Sequence, residues 1–224
     1  MMLVTGGNGK LALAYAAKYP CKSMSKTELD VTDLGSIKKA ITPDITVILH
    51  TAAITSVEKC ETDKKLTYDV NVNGTKNILK AIEGTDIKLI YVSTPCVFDG
   101  VSGNYTINSL PQPCNYYGLT KTISEELIQN SKANYLIIRT NFVAKEKWPY
   151  PKAFTDRFGT YLFADGVADG IHKHMNENGL IHLVGEKRMS MFELAKITSP
   201  DVLPMTIDDY HGTAKLTMDM TLVE

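Results

Sequence analysis

The sequence has no excess of either charge, no long apolar run and no clustered cysteines, and each absence removes a class of protein. Lys and Arg number 24 against 25 Asp and Glu, so the basic stripe of a dedicated nucleic-acid binder, or of a protein held on an anionic membrane surface, is missing. The apolar stretch Leu11–Ala17 falls far short of the roughly 20 residues of a membrane span. Cys21, Cys60, Cys96 and Cys114 are far apart, without CxxC or Cys/His metal spacing. That pattern predicts reduced thiols in a cytoplasmic protein, and no metal site. Strand-like residues begin at Met2 with no basic or apolar leader, so no signal peptide is expected. An apolar fraction of 44% and a charged fraction of 22% over 224 residues are ordinary for one globular domain, or one domain with a small appendage.

What is present is an alternation of strand-like and helix-like segments. Met2-Leu3-Val4-Thr5 reads as a strand running into Gly6-Gly7-Asn8-Gly9, after which Leu11, Leu13, Ala14 and Ala17 recur at helical spacing. Further strands are expected around Cys21–Ser25, Ile45–Leu49, Ile87–Val92 and Tyr135–Ile138. Helices are expected after an Asp33 cap, over about Asp63–Glu83, and from about Tyr116 to Gln129. Continuous apolar strands separated by helices predict an α/β fold, a doubly wound parallel sheet of Rossmann type. The signal weakens after Phe142. Lys145–Phe158 looks irregular, Ala164–Met175 reads as a helix and Leu180–Val184 as a strand. Ser190 and Glu193 form a capping box for a last helix, and the tail after Pro200 has no period. The expected organisation is a nucleotide-binding region over 1–142 and a small α/β attachment over 143–224 that is not an independent domain.

Gly6, Gly7 and Gly9, with Ala12 in the last small position, form a turn whose glycines let the backbone approach a pyrophosphate closely. Gly6, Asn8, Gly9, Lys10 and Leu11 are therefore candidate cofactor contacts. A carboxylate for a ribose 2′-hydroxyl would end the second strand, but Ser25-Lys26 stands there. A hydroxyl and an ammonium suit a 2′-phosphate, which favours NADP(H) and leaves NAD(H) open; Lys26 as a plain surface lysine fits equally well. Asp30-Val31 either holds the adenine or belongs to the entry of the second helix. Thr51, Ala52 and Ala53 are small enough for a cofactor to lie against their backbone.

Tyr117-Gly118-Leu119-Thr120-Lys121 places a phenol and an ammonium at i and i+4 on one helical face. The ammonium would favour phenolate and lower the Tyr117 pKa, suiting a proton exchange with a carbonyl while hydride moves to or from a nicotinamide. Tyr91-Val92-Ser93-Thr94 brings a hydroxyl to the carboxyl edge of the sheet, where ligands bind in open α/β folds.

Together with Leu29-Asp30-Val31-Thr32-Asp33, His50-Thr51-Ala52-Ala53, Asn71-Val72-Asn73-Gly74-Thr75, Ser93 to Gly100 and Ile138-Arg139-Thr140, these motifs resemble the extended short-chain dehydrogenase/reductase family. The resemblance covers residues 2 to about 142 and is greatest to its dTDP-4-dehydrorhamnose reductase branch. It implies that Thr94 hydrogen-bonds the substrate oxygen, Tyr117 is the acid/base, and Lys121 binds the nicotinamide ribose and tunes Tyr117. Asn71 would order the active-site helix. The implied activity is NADP(H)-dependent reduction of a nucleotide-activated 4-keto-6-deoxyhexose. A homodimer through the helices near 63–83 and 116–129 is expected by analogy.

The departures lie after Phe142, where the chain is several dozen residues shorter than usual for the branch. Asp156-Arg157-Phe158-Gly159-Thr160 resembles the family's Asp-Gln-x-Gly stretch but arrives early. Cys96 stands where sugar-nucleotide epimerase/reductases carry a cysteine base, so a bifunctional 3,5-epimerase/4-reductase is a rival, with Lys145, Lys147 or Lys152 as the acid. The alternative for Cys96 is a buried small apolar residue. Pro95-Cys96 replaces the Asp-Glu pair of 4,6-dehydratases and excludes that chemistry. A rival from another class is a non-catalytic NADP-binding regulatory subunit. Met189, Met191, Met218 and Met220 are expected to serve packing.

Overall fold

The strands of the main sheet are short apolar runs whose alternate side chains enter two different cores. The computed structural model describes residues 1–223. The first part of the chain contains β1 (Met2–Thr5), α1 (Lys10–Ala16), β2 (Lys22–Met24), α2 (Leu34–Ala40), β3 (Val47–His50), α3 (Val57–Thr62), α4 (Lys64–Tyr68), α5 (Gly74–Ala81), β4 (Lys88–Ser93), α6 (Tyr116–Gln129) and β5 (Tyr135–Thr140). Leu3, Ile48, Leu89, Tyr91 and Ile137 point to one face, against Ile37, Ile78 and Ile128 of the helices there. Val4, Leu49, Ile90, Leu136 and Ile138 point to the other, against Leu11 and Tyr15. A period of two with both faces apolar is the signature of a sheet covered on both sides.

The second part contains β6 (Phe142–Val143), β7 (Lys152–Phe154), β8 (Phe158–Gly159), β9 (Leu162–Phe163), α7 (Ala164–His174), β10 (Gly179–Leu183), β11 (Met189–Ser190), α8 (Met191–Thr198), β12 (Leu203–Met205) and β13 (Asp219–Met220). The main sheet has six strands in the order β10-β5-β4-β3-β1-β2, all parallel. The chain moves outward from β1 to β2, then returns to the other side of β1 at β3. This reversal opens a crevice at the carboxyl ends of β1 and β3, where ligands of doubly wound folds bind.

The expected division at residue 142 does not coincide with the edge of this sheet. β10 supplies its sixth strand and α7 packs beside α1 through Val167, Ala168 and Ile171. The segment expected to be irregular contributes β7, which pairs in parallel with β12 of the tail. Asp33 caps α2 by accepting from the Gly35 amide at 2.8 Å, and the Ser190–Glu193 capping box is formed. The helix expected over 63–83 follows a continuous path, but Asp69–Asn73 is wound as a π-helix between α4 and α5. Such wide turns re-aim side chains and recur at functional sites. Among the described residues no helix is long and apolar enough to cross a membrane.

Candidate active site

A cleft of about 570 Å³ runs along the carboxyl edge of the sheet. Gly9, Lys10 and Leu11 line one end, Thr51 and Ala53 lie beside them, and Thr94, Cys96, Tyr117 and Lys121 form the middle. The glycine turn is shaped for close approach. Gly6 has φ +70°, and a Cβ there would lie 2.8 Å from the Ala52 Cα, so Gly6 and Ala52 set the floor of the turn without lining the cleft. Gly9 begins α1 with no side-chain cap, leaving the first-turn amides of the helix to other partners.

Tyr117 reaches the cleft because α6 starts close to the backbone that follows β4. Asn115 accepts from the Gly118 amide at 2.9 Å and thereby caps the helix. A Cβ at Gly118 would stand 2.0 Å from the Cys96 carbonyl oxygen; only glycine allows α6 so near the 95–97 turn. Thr94 is buried, and its hydroxyl accepts from the Cys96 amide at 3.2 Å.

Lys121 is 3% exposed. Its ammonium donates to the Val92 carbonyl at 2.7 Å and lies 4.0 Å above the Tyr91 ring. Burial lowers its pKa to about 7, against an opposing pull from Glu125. The expectation that Lys121 depresses the Tyr117 pKa is corrected: burial pushes the Tyr117 phenol well up, with smaller upward pushes from Cys96 and Tyr91 and a downward pull from Thr94. The low-dielectric surroundings that lower the Lys121 pKa also disfavour the phenolate. Tyr117 is therefore a protonated phenol at neutral pH.

Asn71, in the π-helical turn, is 2% exposed. It bonds both backbone groups of Ile54 and donates to Thr120 Oγ1 at 3.0 Å, on α6. It touches α6 and does not line the cleft.

The adenosine end differs from expectation in one respect. The Glu28 carboxylate folds back onto Ser25 and accepts from its amide at 2.8 Å and from its hydroxyl at 2.7 Å. A carboxylate thus stands at the end of β2 after all, supplied from three residues on. Asp30 turns its carboxylate to Thr32, accepting from the amide at 2.9 Å and the hydroxyl at 2.8 Å. Val31 packs against Gly74. Asp30 is thus bonded within the turn that enters α2, and Val31 lies against α5. Asn8, Ser25, Lys26, Asp30 and Val31 all lie outside the cleft lining.

At the far end, Cys96 is 5% exposed and packs with Tyr161, Leu194 and Met220. Lys147 lines the cleft, whereas Lys145 sits 5.8 Å over the Phe163 ring and Lys152 is in β7. Sequence reasoning missed Trp148, Arg157 and Tyr161, and assigned Met191 and Met220 to packing alone; all five line the cleft. The available signal was the Asp156–Thr160 likeness, in which Arg157 occupies the glutamine position.

A family model described as RmlD substrate binding domain matches residues 1–159. The chain belongs to this family. A curated relative in it, dTDP-4-dehydrorhamnose reductase of Aggregatibacter actinomycetemcomitans, is 31% identical over 155 residues, 65% of this chain and 52% of that protein. The chain thus spans about half the length of the curated reductase it matches. Methionine adenosyltransferase 2 subunit beta of Xenopus laevis is 36% identical over 93 residues, 42% of this chain and 28% of that protein. The crystal structure of dTDP-4-dehydrorhamnose reductase from Bacillus anthracis str. Ames in complex with NADP matches with a TM-score of 0.90 at 24% identity, covering 99% of this chain and 89% of that one. At that identity the likeness establishes the shared fold of the RmlD family member and its doubly wound sheet.

Proposed function

We propose that the chain is an NADP(H)-dependent reductase of a nucleotide-activated 4-keto-6-deoxyhexose, of the dTDP-4-dehydrorhamnose reductase kind, with NAD(H) as a second cofactor. The observation that carries this reading is the convergence of Thr94, Tyr117 and Lys121 on the cleft that Gly9, Lys10 and Leu11 enter from the opposite end. The names of the Aggregatibacter relative and of the NADP-bound Bacillus structure support it. The residues present fit a dinucleotide: Gly9, at the start of α1, lines the cleft without a side chain, and the first-turn amides of α1 lack a side-chain cap.

Reduction of a ketone to a secondary alcohol adds one hydride and one proton. The dinucleotide, when bound, supplies the hydride. Tyr117 supplies the proton, because burial keeps its phenol protonated until negative charge grows on the ketone oxygen. Thr94 donates its hydroxyl hydrogen to the same oxygen, oriented by the Cys96 amide that its own oxygen accepts. Lys121, with a pKa near 7, carries charge part of the time and steadies the phenolate left on Tyr117 one turn away. Cys96 packs in an apolar cluster, which favours a packing role over that of an epimerising base. A homodimer through the helical faces carrying Tyr68 and Leu119, both exposed, belongs to the same reading.

A second reading, a non-catalytic NADP-binding regulatory subunit, is favoured by the name of the Xenopus relative. Oxidation of NADPH by the purified protein with a dTDP-4-keto-6-deoxyhexose separates the two. A reductase turns over, and Tyr117→Phe lowers the rate by about 10²–10⁴-fold while still binding NADPH. Bound NADPH without turnover replaces the reductase with the subunit reading.

A further inference from the structure

We infer that Arg157 is an anchor for an oxyanion of the substrate, a diphosphate or a sugar carboxylate, at the far end of the cleft from the glycine turn. The nature of the ligand rests on the nucleotide-sugar reading above; the anion site itself rests on the placement of one side chain.

Arg157 lines the cleft together with Tyr161, Met191 and Met220. Its Nε donates to the Thr217 carbonyl at 2.9 Å, while Nη1 and Nη2 face the sulfurs of Met191 and Met220 at 3.4 and 3.5 Å. A thioether is a weak acceptor, so of the contacts the guanidinium makes only the Nε bond to Thr217 is a full one, and both terminal nitrogens face partners that do not satisfy them. Among the described residues it forms no ion pair. Asp219 is bonded to Arg188 at 2.9 Å, Glu58 takes bonds from Thr213, Ala214 and Tyr210, and Asp156 accepts from the Ile207 amide at 2.9 Å.

A guanidinium left without a carboxylate in a sulfur- and aromatic-lined pocket is matched to a planar or tetrahedral oxyanion, which it grips through two parallel bonds. Beside it the Tyr161 hydroxyl is buried and has no partner, a second donor on the same wall. The place along the cleft is also informative. Met220 Sδ lies 4.0 Å from Cys96 Sγ and 3.5 Å from Arg157 Nη2, and the Cys96 amide bonds Thr94. One sulfur therefore separates the guanidinium from the residue beside the ketone-polarising threonine. The anion that fits is carried by the substrate, since Lys10 and the glycine turn hold the opposite end.

Titration calorimetry of the NADPH-loaded protein with dTDP-glucose and with dTDP-glucuronic acid tests this without requiring turnover. Wild-type affinity is expected to fall steeply with added salt. Arg157→Gln is expected to weaken dTDP-glucose at least tenfold if the diphosphate is the anion held. If a sugar carboxylate is held instead, the wild type is expected to bind dTDP-glucuronic acid about tenfold more tightly than dTDP-glucose, and the variant loses only that difference. A modest fall in melting temperature from the lost Thr217 bond is expected in either case, while NADPH affinity stays unchanged, as it would not if loss of this brace deformed the whole cleft. Arg157→Lys keeps the charge without the fork and recovers part of the loss. Salt-independent wild-type binding, no binding of either nucleotide, or equal affinities in wild type and Arg157→Gln overturns the inference. Absence of NADPH oxidation alone overturns the reductase reading and leaves the anion site standing.

Discussion

The side-chain amide of Asn71 donates to Thr120 Oγ1 at 3.0 Å, joining the π-helical turn to α6 at the residue that precedes Lys121. The same amide group ties both backbone atoms of Ile54 at 2.8 and 3.0 Å. Asn71→Leu strands those buried groups, at about 1–3 kcal/mol for each one left unpaired. The expected outcome is a lower denaturation midpoint together with a fall in kcat, while NADPH affinity stays within threefold. An unchanged midpoint contradicts the bonding scheme.

Gly118 sets how near Tyr117 comes to Thr94. Alanine there meets the Cys96 carbonyl oxygen, which forces α6 outward. A displacement of about 1 Å at a reacting group costs on the order of 10²-fold in rate. Turnover by Gly118→Ala is therefore expected to drop by about that factor, with NADPH binding retained in a fluorescence titration. Wild-type kcat in the variant refutes the role of this contact.

Glu28 places a carboxylate at the end of β2, where doubly wound folds discriminate the 2′-position of a dinucleotide. Its bonds from Ser25 hold its pKa below the usual carboxylate range, so it stays charged and opposes a 2′-phosphate. Glu28→Gln is expected to tighten NADPH about fivefold, the modest effect of removing a single exposed like charge, and to leave NADH unchanged. Equal changes for both cofactors locate the 2′-position elsewhere.

His50 predicts an acid-sensitive stability. It is 1% exposed, lies between Thr5 and Thr75, and burial lowers its pKa from 6.5 to about 3, with Lys121 adding to the shift. The folded protein keeps the ring neutral while the unfolded chain protonates it below about 6.5. Stability from this group is present above pH 6.5 and is lost as pH falls toward 3, at a slope of roughly 1.4 kcal/mol per pH unit. Urea melts from pH 7 to 4 are expected to show a shallower decline for His50→Asn than for wild type. Parallel declines exclude His50 as the source.

Much of the fold was legible because it is written in local signals. The apolar strands, the Asp33 and Ser190 caps and the Tyr117–Lys121 pair each depend on residues within one turn or one strand. The parts that were not legible depend on how the backbone turns locally or on residues far apart. Glu28 reaches Ser25 only after the backbone turns, and nothing in the apolar spacing of 63–83 marks the extra residue of the π-helical turn. Arg157 meets Thr217 and Met220 across about 60 residues, and β13 is two residues long, too short to carry a period. The direction of the Tyr117 shift was misjudged for a related reason: helical spacing places Lys121 near the phenol but says nothing of how deeply both are buried.

Position 96 has two faces with separate duties. Its main chain does the positioning, through an amide that orients Thr94 and a carbonyl against which α6 rests at Gly118. Its side chain packs with Tyr161, Leu194 and Met220 at the wall of the cleft and takes no part in that spacing. A thiol exchanged here for a hydroxyl or a methyl would change the wall of the cleft. The spacing of α6 from the 95–97 turn would survive the exchange, because it is kept by atoms every amino acid shares.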